Sequence, residues 1–473
     1  MKTLIVNPPV EAGFERSGRW PSKSTGGGFQ EPLYLAYAAA VLEKEGLEVD
    51  LIDCRPDLLS IKDLFERMDK STKLVVLQTS TPSIELDLKT ARALKKRFKI
   101  IKIALVGPHV SVFSRKILRD NSFVDFILRG EYEYILRDLV KAMIKGNNFG
   151  KVKGLTYRVG KRIYQNTNAL LIADIDEIPF PARHFLPNEK YFEPLFVGRP
   201  TLRLITSRGC PFRCTFCVWP EIMYGRKIRY RNIESVINEI KELKEKYRIK
   251  EFYFDDDTFT LDEKRVVELC KALIENKINL PWDCLGRVNM VTIRMLRWMK
   301  KSGCILIRYG VESGDQEILN KCRKGITVRE IERAFEMTRK VGIKTHATVM
   351  FGLPGETKNS IERSIEFCLK LNPSYIQFAI ATPYPGTDYY REVKNNNWLV
   401  AKKWSDYDPI AGSVVSYPSL SNEDINEAIK RGYKRFYLRP VYMWGRLLSA
   451  RSLAEYEQLV RAGFSLFKKL FYE

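Results

Sequence analysis

The sequence predicts an α/β protein: a doubly wound parallel sheet, then a partial (β/α)6 barrel, then a helical C-terminal region. Two observations predict it. Short apolar strands alternate with amphipathic helices through the first 145 residues, and the alternation resumes at Leu202 for six further units. A third observation concerns the turns after the strands, which collect glycine, proline and small polar residues as a ligand crevice requires. With 473 residues, 45% of them apolar and 29% charged, the chain has material for two or three cored domains.

In the first domain, residues 1–145, strands are predicted at Leu4–Asn7, Val49–Cys54, Leu74–Ser80, Ile103–Gly107 and Phe123–Gly130. Helices are predicted at Leu33–Glu45, Ile61–Met68, Ile84–Arg97 and Tyr132–Ile144. Strands that are apolar throughout belong to a sheet covered on both faces, the Rossmann or flavodoxin-like arrangement. Their carboxyl ends carry Asn7-Pro8-Pro9, Asp53, Thr79-Ser80-Thr81, Gly107-Pro108-His109 and Arg129-Gly130-Glu131. Residues 146–195 read as a connector packed on the surface, with a hairpin from Gly154–Arg158 to Ile163-Tyr164 and the proline-punctuated Ile178-Pro179-Phe180-Pro181.

The barrel, residues 196–400, counts strands at Leu202–Ser207, Glu251–Asp255, Trp282–Arg287, Ile305–Val311, Thr345–Phe351 and Tyr375–Ala381. Helical patterns follow at Ile233–Tyr247, Lys264–Asn276, Thr292–Lys301, Val328–Val341, Asn359–Leu371 and after Thr387. Residues 401–473 form a tail of helices and loops.

Cysteine placement carries the chemistry. Of nine cysteines, Cys54 stands alone in the first 200 residues, whereas Cys210, Cys214 and Cys217 share one loop after the first barrel strand. That distribution suits a reducing cytoplasm and a metal site rather than a disulfide framework. Thiolates are the usual ligands of iron–sulfur clusters, and three of them leave one iron of a four-iron cluster open. Structural zinc would want a fourth ligand nearby, and none is present in sequence. Cys270, Cys284, Cys304, Cys322 and Cys368 lack any such pairing, and His184 and His346 lack ligand spacing.

With Arg208-Gly209-Cys210-Pro211-Phe212-Arg213-Cys214-Thr215-Phe216-Cys217 the chain resembles the radical S-adenosylmethionine (SAM) enzymes that carry an N-terminal cobalamin-binding-type domain. Asn7-Pro8-Pro9, Gly107-Pro108-His109, Arg129-Gly130-Glu131, Phe254-Asp255-Asp256-Asp257, Gly310-Val311-Glu312-Ser313-Gly314 and Gly352-Leu353-Pro354-Gly355-Glu356 support it along nearly the whole chain. Within that class it is similar to the anaerobic magnesium-protoporphyrin monomethyl ester cyclase and the hopanoid-biosynthesis proteins.

The resemblance implies that Cys210, Cys214 and Cys217 ligate a 4Fe–4S cluster whose open iron is chelated by SAM. Reduction then cleaves SAM to methionine and a 5′-deoxyadenosyl radical, which takes hydrogen from an unactivated carbon. It further implies SAM contacts at Phe216, Asp255, Asp256, Arg287, Glu312, Ser313, Gly352 and Pro354. Cobalamin contacts are implied at Asn7, Pro8, Ser80, Thr81, Gly107, His109, Gly130 and Glu131, and the electron donor is a reduced flavodoxin or ferredoxin. The Asp-x-His-x-x-Gly loop of many cobalamin proteins is replaced by Asn7-Pro8-Pro9, so the lower cobalt ligand stays unassigned and the domain could instead be a scaffold.

Several residues keep a plainer reading. Asp255–Asp257 could hold a divalent ion or cap a helix, Gly352–Glu356 could be a tight turn, and Arg287 could pair with a neighbouring acid. The net charge of +22 favours anionic partners. Between Ala428 and Ala454 there are seven Lys or Arg and no Asp or Glu, with Tyr433, Phe436, Tyr437, Tyr442 and Trp444 interleaved. Residues 428–473 therefore suit a lid over the barrel, or peripheral contact with the inner face of a membrane, ahead of nucleic acid. No signal-peptide pattern opens the chain, and its longest uncharged apolar run, Leu33–Leu42, is half a membrane span.

Function follows as radical chemistry on a hydrophobic small molecule, of membrane-lipid or isoprenoid type, by carbon–carbon bond or ring formation or methylation. An RNA or cofactor methylase is the alternative, and an iron–sulfur redox protein the non-enzymatic one. Methylthiotransferases would need three further N-terminal cysteines.

Overall fold

The computed structural model describes residues 1–449 except 18, 20, 24–27, 147, 194 and 196–197, and beyond 449 residues 456, 457, 460 and 463. The first sheet contains β1 (Lys2–Asn7), β2 (Val49–Asp53), β3 (Thr72–Gln78), β4 (Lys102–Val106), β5 (Phe126–Leu128), β6 (Leu155–Val159) and β7 (Arg162–Gln165). Its spatial order is β2-β1-β3-β4-β5-β6-β7, parallel from β2 to β5 and antiparallel beyond. The predicted hairpin thus extends this sheet. The order reverses between β1 and β3, so a crevice opens beside the ends of those two strands.

The second sheet runs in chain order: β8 (Thr201–Leu204), β9 (Glu251–Phe254), β10 (Trp282–Gly286), β11 (Cys304–Glu312), β12 (Lys344–Phe351) and β13 (Tyr375–Ile380). All neighbours are parallel, and β8 and β13 form the two edges of an open six-stranded arc. The predicted doubly wound sheet and partial barrel are both present. Helices Ile233–Glu245, Glu263–Glu275, Ile293–Lys301, Val328–Val341 and Lys358–Leu371 cover the arc. Each starts at a side-chain cap, from Asn232, Asp262, Thr292, Thr327 and Thr357 respectively.

Helix Leu33–Lys44 joins the two halves. Ten of its twelve residues are buried, from Leu33 to Leu42. A helix apolar all round needs cover on all sides, and here both domains supply it. Tyr34 meets the ring of Trp219 at 5.2 Å, and the Arg208 guanidinium lies 5.1 Å from the ring of Tyr37. The apolar run is therefore interdomain core, and no helix among the described residues is long and apolar enough to cross a membrane.

The helix Asn422–Tyr437 covers the β13 edge. The hydroxyls of Tyr433, Tyr437 and Tyr442 donate to the carbonyls of Phe378 (3.1 Å), Ile376 (2.7 Å) and Ser374 (2.9 Å). Much of the basic and aromatic tail thus covers the barrel. The part of that reading on residues 450–473 lies outside the described residues apart from 456, 457, 460 and 463.

Candidate functional site

The three motif cysteines are half-buried and unpaired, whereas the six others are buried. Their loop hangs from β8 through a short ribbon in which Ser207-Arg208 pairs with Arg229-Tyr230. Gly209 turns the chain at φ +96°, where a Cβ would collide with the carbonyl of Lys227. The Cys210 amide donates to Gly225 (3.2 Å), and Thr215 is tied to Cys322 and Tyr389 by main-chain bonds (both 3.0 Å). Burial pushes the thiols of Cys210 and Cys217 up, with Cys214 a further cause at both. Among the described residues no His, Cys, Asp and Glu donors converge as tightly as one metal ion requires. A four-iron cluster places its three thiolates on three different irons, so its ligands need not converge on one point. Phe216 is half-buried beside Cys217 and packs on the core.

The carboxylates predicted to meet SAM are held by protein groups. Asp255 accepts from Arg19 Nε (2.7 Å) and Arg203 Nη1 (2.9 Å). Asp256 accepts from the amide and hydroxyl of Thr206 (both 2.6 Å) and the hydroxyl of Ser207 (2.7 Å); burial nevertheless pushes its carboxyl up. Asp257 accepts from Arg19 Nη1 (2.5 Å) and the Gly209 amide (2.8 Å). These acids therefore shape the rim that carries the cysteine loop.

Arg287 stacks over Phe212 of the cysteine loop at 3.6 Å and donates to Asn289 Oδ1 and to the carbonyls of Lys324 and Gly325. Its bonds go to an amide and backbone, with no neighbouring acid among them. Glu312 pairs with Lys324 at 2.6 Å. Ser313 is fully buried, bonded to Ser364 Oγ (3.0 Å) and the Asp315 amide (3.1 Å), which makes it a turn residue. The carbonyl of Gly352 accepts from the hydroxyls of Tyr389 (2.6 Å) and Tyr417 (2.8 Å), and its amide donates to Glu356 (2.6 Å). Pro354 is buried in the same turn, and burial pushes Glu356 up to about 8. The tight-turn reading describes this segment.

On the side of the first domain, Asn7 donates to Asp53 (2.8 Å) and Ser17 (3.2 Å) and accepts from Arg16 (2.9 Å). Arg16 also donates to the carbonyl of Pro8 (2.9 Å) and pairs with Asp87 (2.5 Å). Ser80 bonds to Ser83 (2.7 Å). Gly107, at φ +125°, passes so close to the Thr79 carbonyl that no Cβ would fit. His109 lies beneath Trp404 and Phe113, 3.3 Å from Thr81 Oγ1, and burial lowers its pKa to about 3. This packing leaves His109 enclosed rather than presented to a ligand. The Gly130 amide donates to Ser111 (3.0 Å), and Glu131 points away from the crevice to Arg208 (2.8 Å) and Arg229 (2.8 Å) of the barrel.

Between the two strand-end rims lies a narrow cleft with a cavity volume of about 50 Å³. Gln78, Thr79, Ser80, Thr81 and Pro108 line it from the first sheet, Tyr34 from the joining helix, and Val218 and Trp219 from the chain just after Cys217. Gln78 Oε1 and the Tyr34 hydroxyl are buried here without a hydrogen-bond partner. Orphaned polar atoms on a crevice wall fit a ligand that brings its own hydrogen-bonding groups, as the amides of cobalamin would.

Residues 204–368 match the family model described as the radical SAM superfamily, and residues 23–140 match the B12 binding domain. An uncharacterized methyltransferase of Pyrococcus horikoshii is 33% identical over 441 residues, 93% of either chain.

The chain belongs to the cobalamin-binding radical SAM enzymes.

The anaerobic magnesium-protoporphyrin IX monomethyl ester cyclase of Cereibacter sphaeroides is 28% identical, over 94% of this chain and 72% of that one. The fold matches the cobalamin-dependent SAM radical enzyme OxsB, solved with aqua-cobalamin and SAM, at a TM-score of 0.77 and 18% identity, over 98% of this chain and 72% of that one. The cofactors of this radical SAM enzyme are accordingly a 4Fe–4S cluster, SAM and cobalamin. It acts on a substrate with a reductant as electron source.

Sequence reasoning missed Arg19, Arg203, Tyr34, Gln78 and Trp404. Arg16 and Arg19 had one visible signal: two arginines close together in the long segment between the first strand and the helix Leu33–Lys44.

Proposed function

We propose that this enzyme transfers a methyl group to an unactivated carbon of a hydrophobic small molecule of lipid or isoprenoid type. One observation carries the reading: Val218 and Trp219, the residues after Cys217, line the same cleft as Gln78–Thr81. A methyl carrier in that cleft would lie against the cluster loop, where a substrate radical can meet it. When bound, the cluster and SAM supply a carbon-centred radical and cobalamin carries the methyl group. Cys210, Cys214 and Cys217 would hold the cluster. Glu312, Lys324 and Arg287 lie on the barrel side of the cysteine loop and suit the polar groups of SAM. Gln78, Thr79, Ser80, Thr81 and Tyr34 would bind the corrin edge, while the stacked rings of Trp219 and Tyr224 (5.7 Å) exclude water. Reducing equivalents come from a flavodoxin- or ferredoxin-like donor.

The hydrophobic substrate is supported by the tail. Helix Pro440–Ser449 turns Val441, Trp444 and Leu448 outward, at 82%, 66% and 81% exposure, at helical spacing. With the chain's positive excess this face suits peripheral contact at an anionic membrane surface, where such a substrate resides.

The test is anaerobic reconstitution with cobalamin, reduction, and SAM bearing a deuterated methyl group, supplied with lipid extracts. Methyl transfer yields labelled product with S-adenosylhomocysteine and 5′-deoxyadenosine together. 5′-Deoxyadenosine without S-adenosylhomocysteine would sink methyl transfer in favour of ring formation.

A further inference from the structure

Glu131 sits in the cofactor domain, in the turn after β5, yet its acceptor capacity is spent on two barrel arginines and one amide of the connector. Its Oε1 accepts from Arg208 Nη1 at 2.8 Å and from Arg229 Nη1 at 3.0 Å. Its Oε2 accepts from Arg229 Nη1 at 2.8 Å and from the Ile172 amide at 2.9 Å. A carboxylate has about four such sites, so none remains for a ligand. Arg208 and Arg229 face each other across the short ribbon, and the next residues in the chain are Gly209 and Cys210. Glu133 adds a second carboxylate to Arg208 at 2.8 Å, so two acids balance two guanidiniums in a buried cluster. Gly209 is fixed separately, by Asp257, which Arg19 of the cofactor domain holds in turn. Both residues that precede Cys210 are thus anchored through side chains of the cofactor domain.

We propose that Glu131 is a positioning residue of the cluster loop, acting through Arg208 and Arg229, and not a contact to cobalamin. It deepens the reading above by making the cofactor domain part of the frame that aims the cluster at SAM. Replacing the carboxylate by an amide leaves one acceptor oxygen and turns N–H groups toward guanidinium N–H groups, and the buried cluster gains an unbalanced positive charge. The ribbon must then shift, and Cys210 with it.

The experiment uses the full chain, reconstituted anaerobically with iron, sulfide and hydroxocobalamin, as wild type, Glu131→Gln and Arg208→Lys. Cobalamin retained per chain is read from the visible spectrum. SAM affinity is read from the change SAM induces in the electron paramagnetic resonance signal of the reduced cluster. Glu131→Gln should retain cobalamin as wild type does while its SAM dissociation constant rises roughly ten- to hundred-fold, the range for residues that orient metal ligands. Arg208→Lys keeps the charge but loses the fork, lies outside the cofactor domain, and should show the same split. Loss of cobalamin from Glu131→Gln with an unchanged SAM response would overturn the proposal, as would a wild-type SAM response in Arg208→Lys. Should Glu131→Gln fail to fold, Arg208→Lys decides alone. A wild-type protein that takes up no cluster would count against the radical chemistry instead.

Discussion

The two rims that face each other across the cleft are built on opposite principles. Beyond its arginines Arg16 and Arg19, the cofactor-domain rim presents neutral groups, Gln78, Thr79, Ser80, Thr81 and Pro108, and leaves one acceptor orphaned. The barrel rim is dense with charge, Arg203, Arg208, Asp255, Asp257, Glu312 and Lys324, with Arg19 reaching in from the cofactor domain, and every one of them is ion-paired in a buried setting. The difference teaches what each rim is for. A large neutral ligand is held by many weak hydrogen bonds, so its wall keeps polar capacity in reserve. A covalently ligated cluster needs its loop fixed in one place, and paired buried charges do that because separating them is costly.

Four changes would break or sharpen this contrast. Cys214→Ala acts on the barrel rim alone and should abolish cluster uptake and SAM cleavage, measured as iron content and 5′-deoxyadenosine, while cobalamin binding persists. Loss of cobalamin in the same variant would mean that the rims are not separable. Arg19→Ala removes the ion-pair partner of Asp257 and one of the two of Asp255, and should cost about 3–5 kcal/mol in urea unfolding, the range for breaking a buried pair.

Gln78→Leu removes an unsatisfied buried acceptor from the opposite rim. The protein without cofactor should become more stable, by about 1–3 kcal/mol, while cobalamin is released more readily on gel filtration. An unchanged cobalamin content would show that the spare capacity serves nothing. The smallest effect concerns pH. His109 is neutral in the fold, its pKa lowered from 6.5 to about 3 by burial, so the unfolded chain binds the extra proton. The stability this contributes is present above pH 6.5 and is lost as pH falls toward 3. Between pH ~7.5 and ~5.5 the loss from this residue is about 1.4 kcal/mol, and His109→Gln should show a correspondingly shallower decline.

The alternation of strands and helices was legible because burial on both faces forces continuous apolar runs, and Leu4–Val6, Val75–Leu77 and Ile103–Val106 carry them openly. Cys210, Cys214 and Cys217 were legible because their ligand spacing is local. The partners of Asp255 and Glu131 were not. Arg19 lies 236 residues before Asp255, and Glu131 lies 77 residues before Arg208. A charge pair joining two folded units has no period and no fixed spacing, so each acid looked like a free strand-end carboxylate. Trp404 over His109 escaped for the same reason: a ring from the tail closes a pocket of the first domain.

The bond between Arg19 and the acids after β9 also sets an order of events during synthesis. Residue 19 leaves the ribosome long before residues 255 and 257 exist, and at about 5–20 residues per second the wait is on the order of tens of seconds. Throughout it, the loop after β1 carries a guanidinium whose partners have not been made. The nascent first domain can assemble its sheet, but the mouth of its crevice stays unlatched until the second barrel strand arrives.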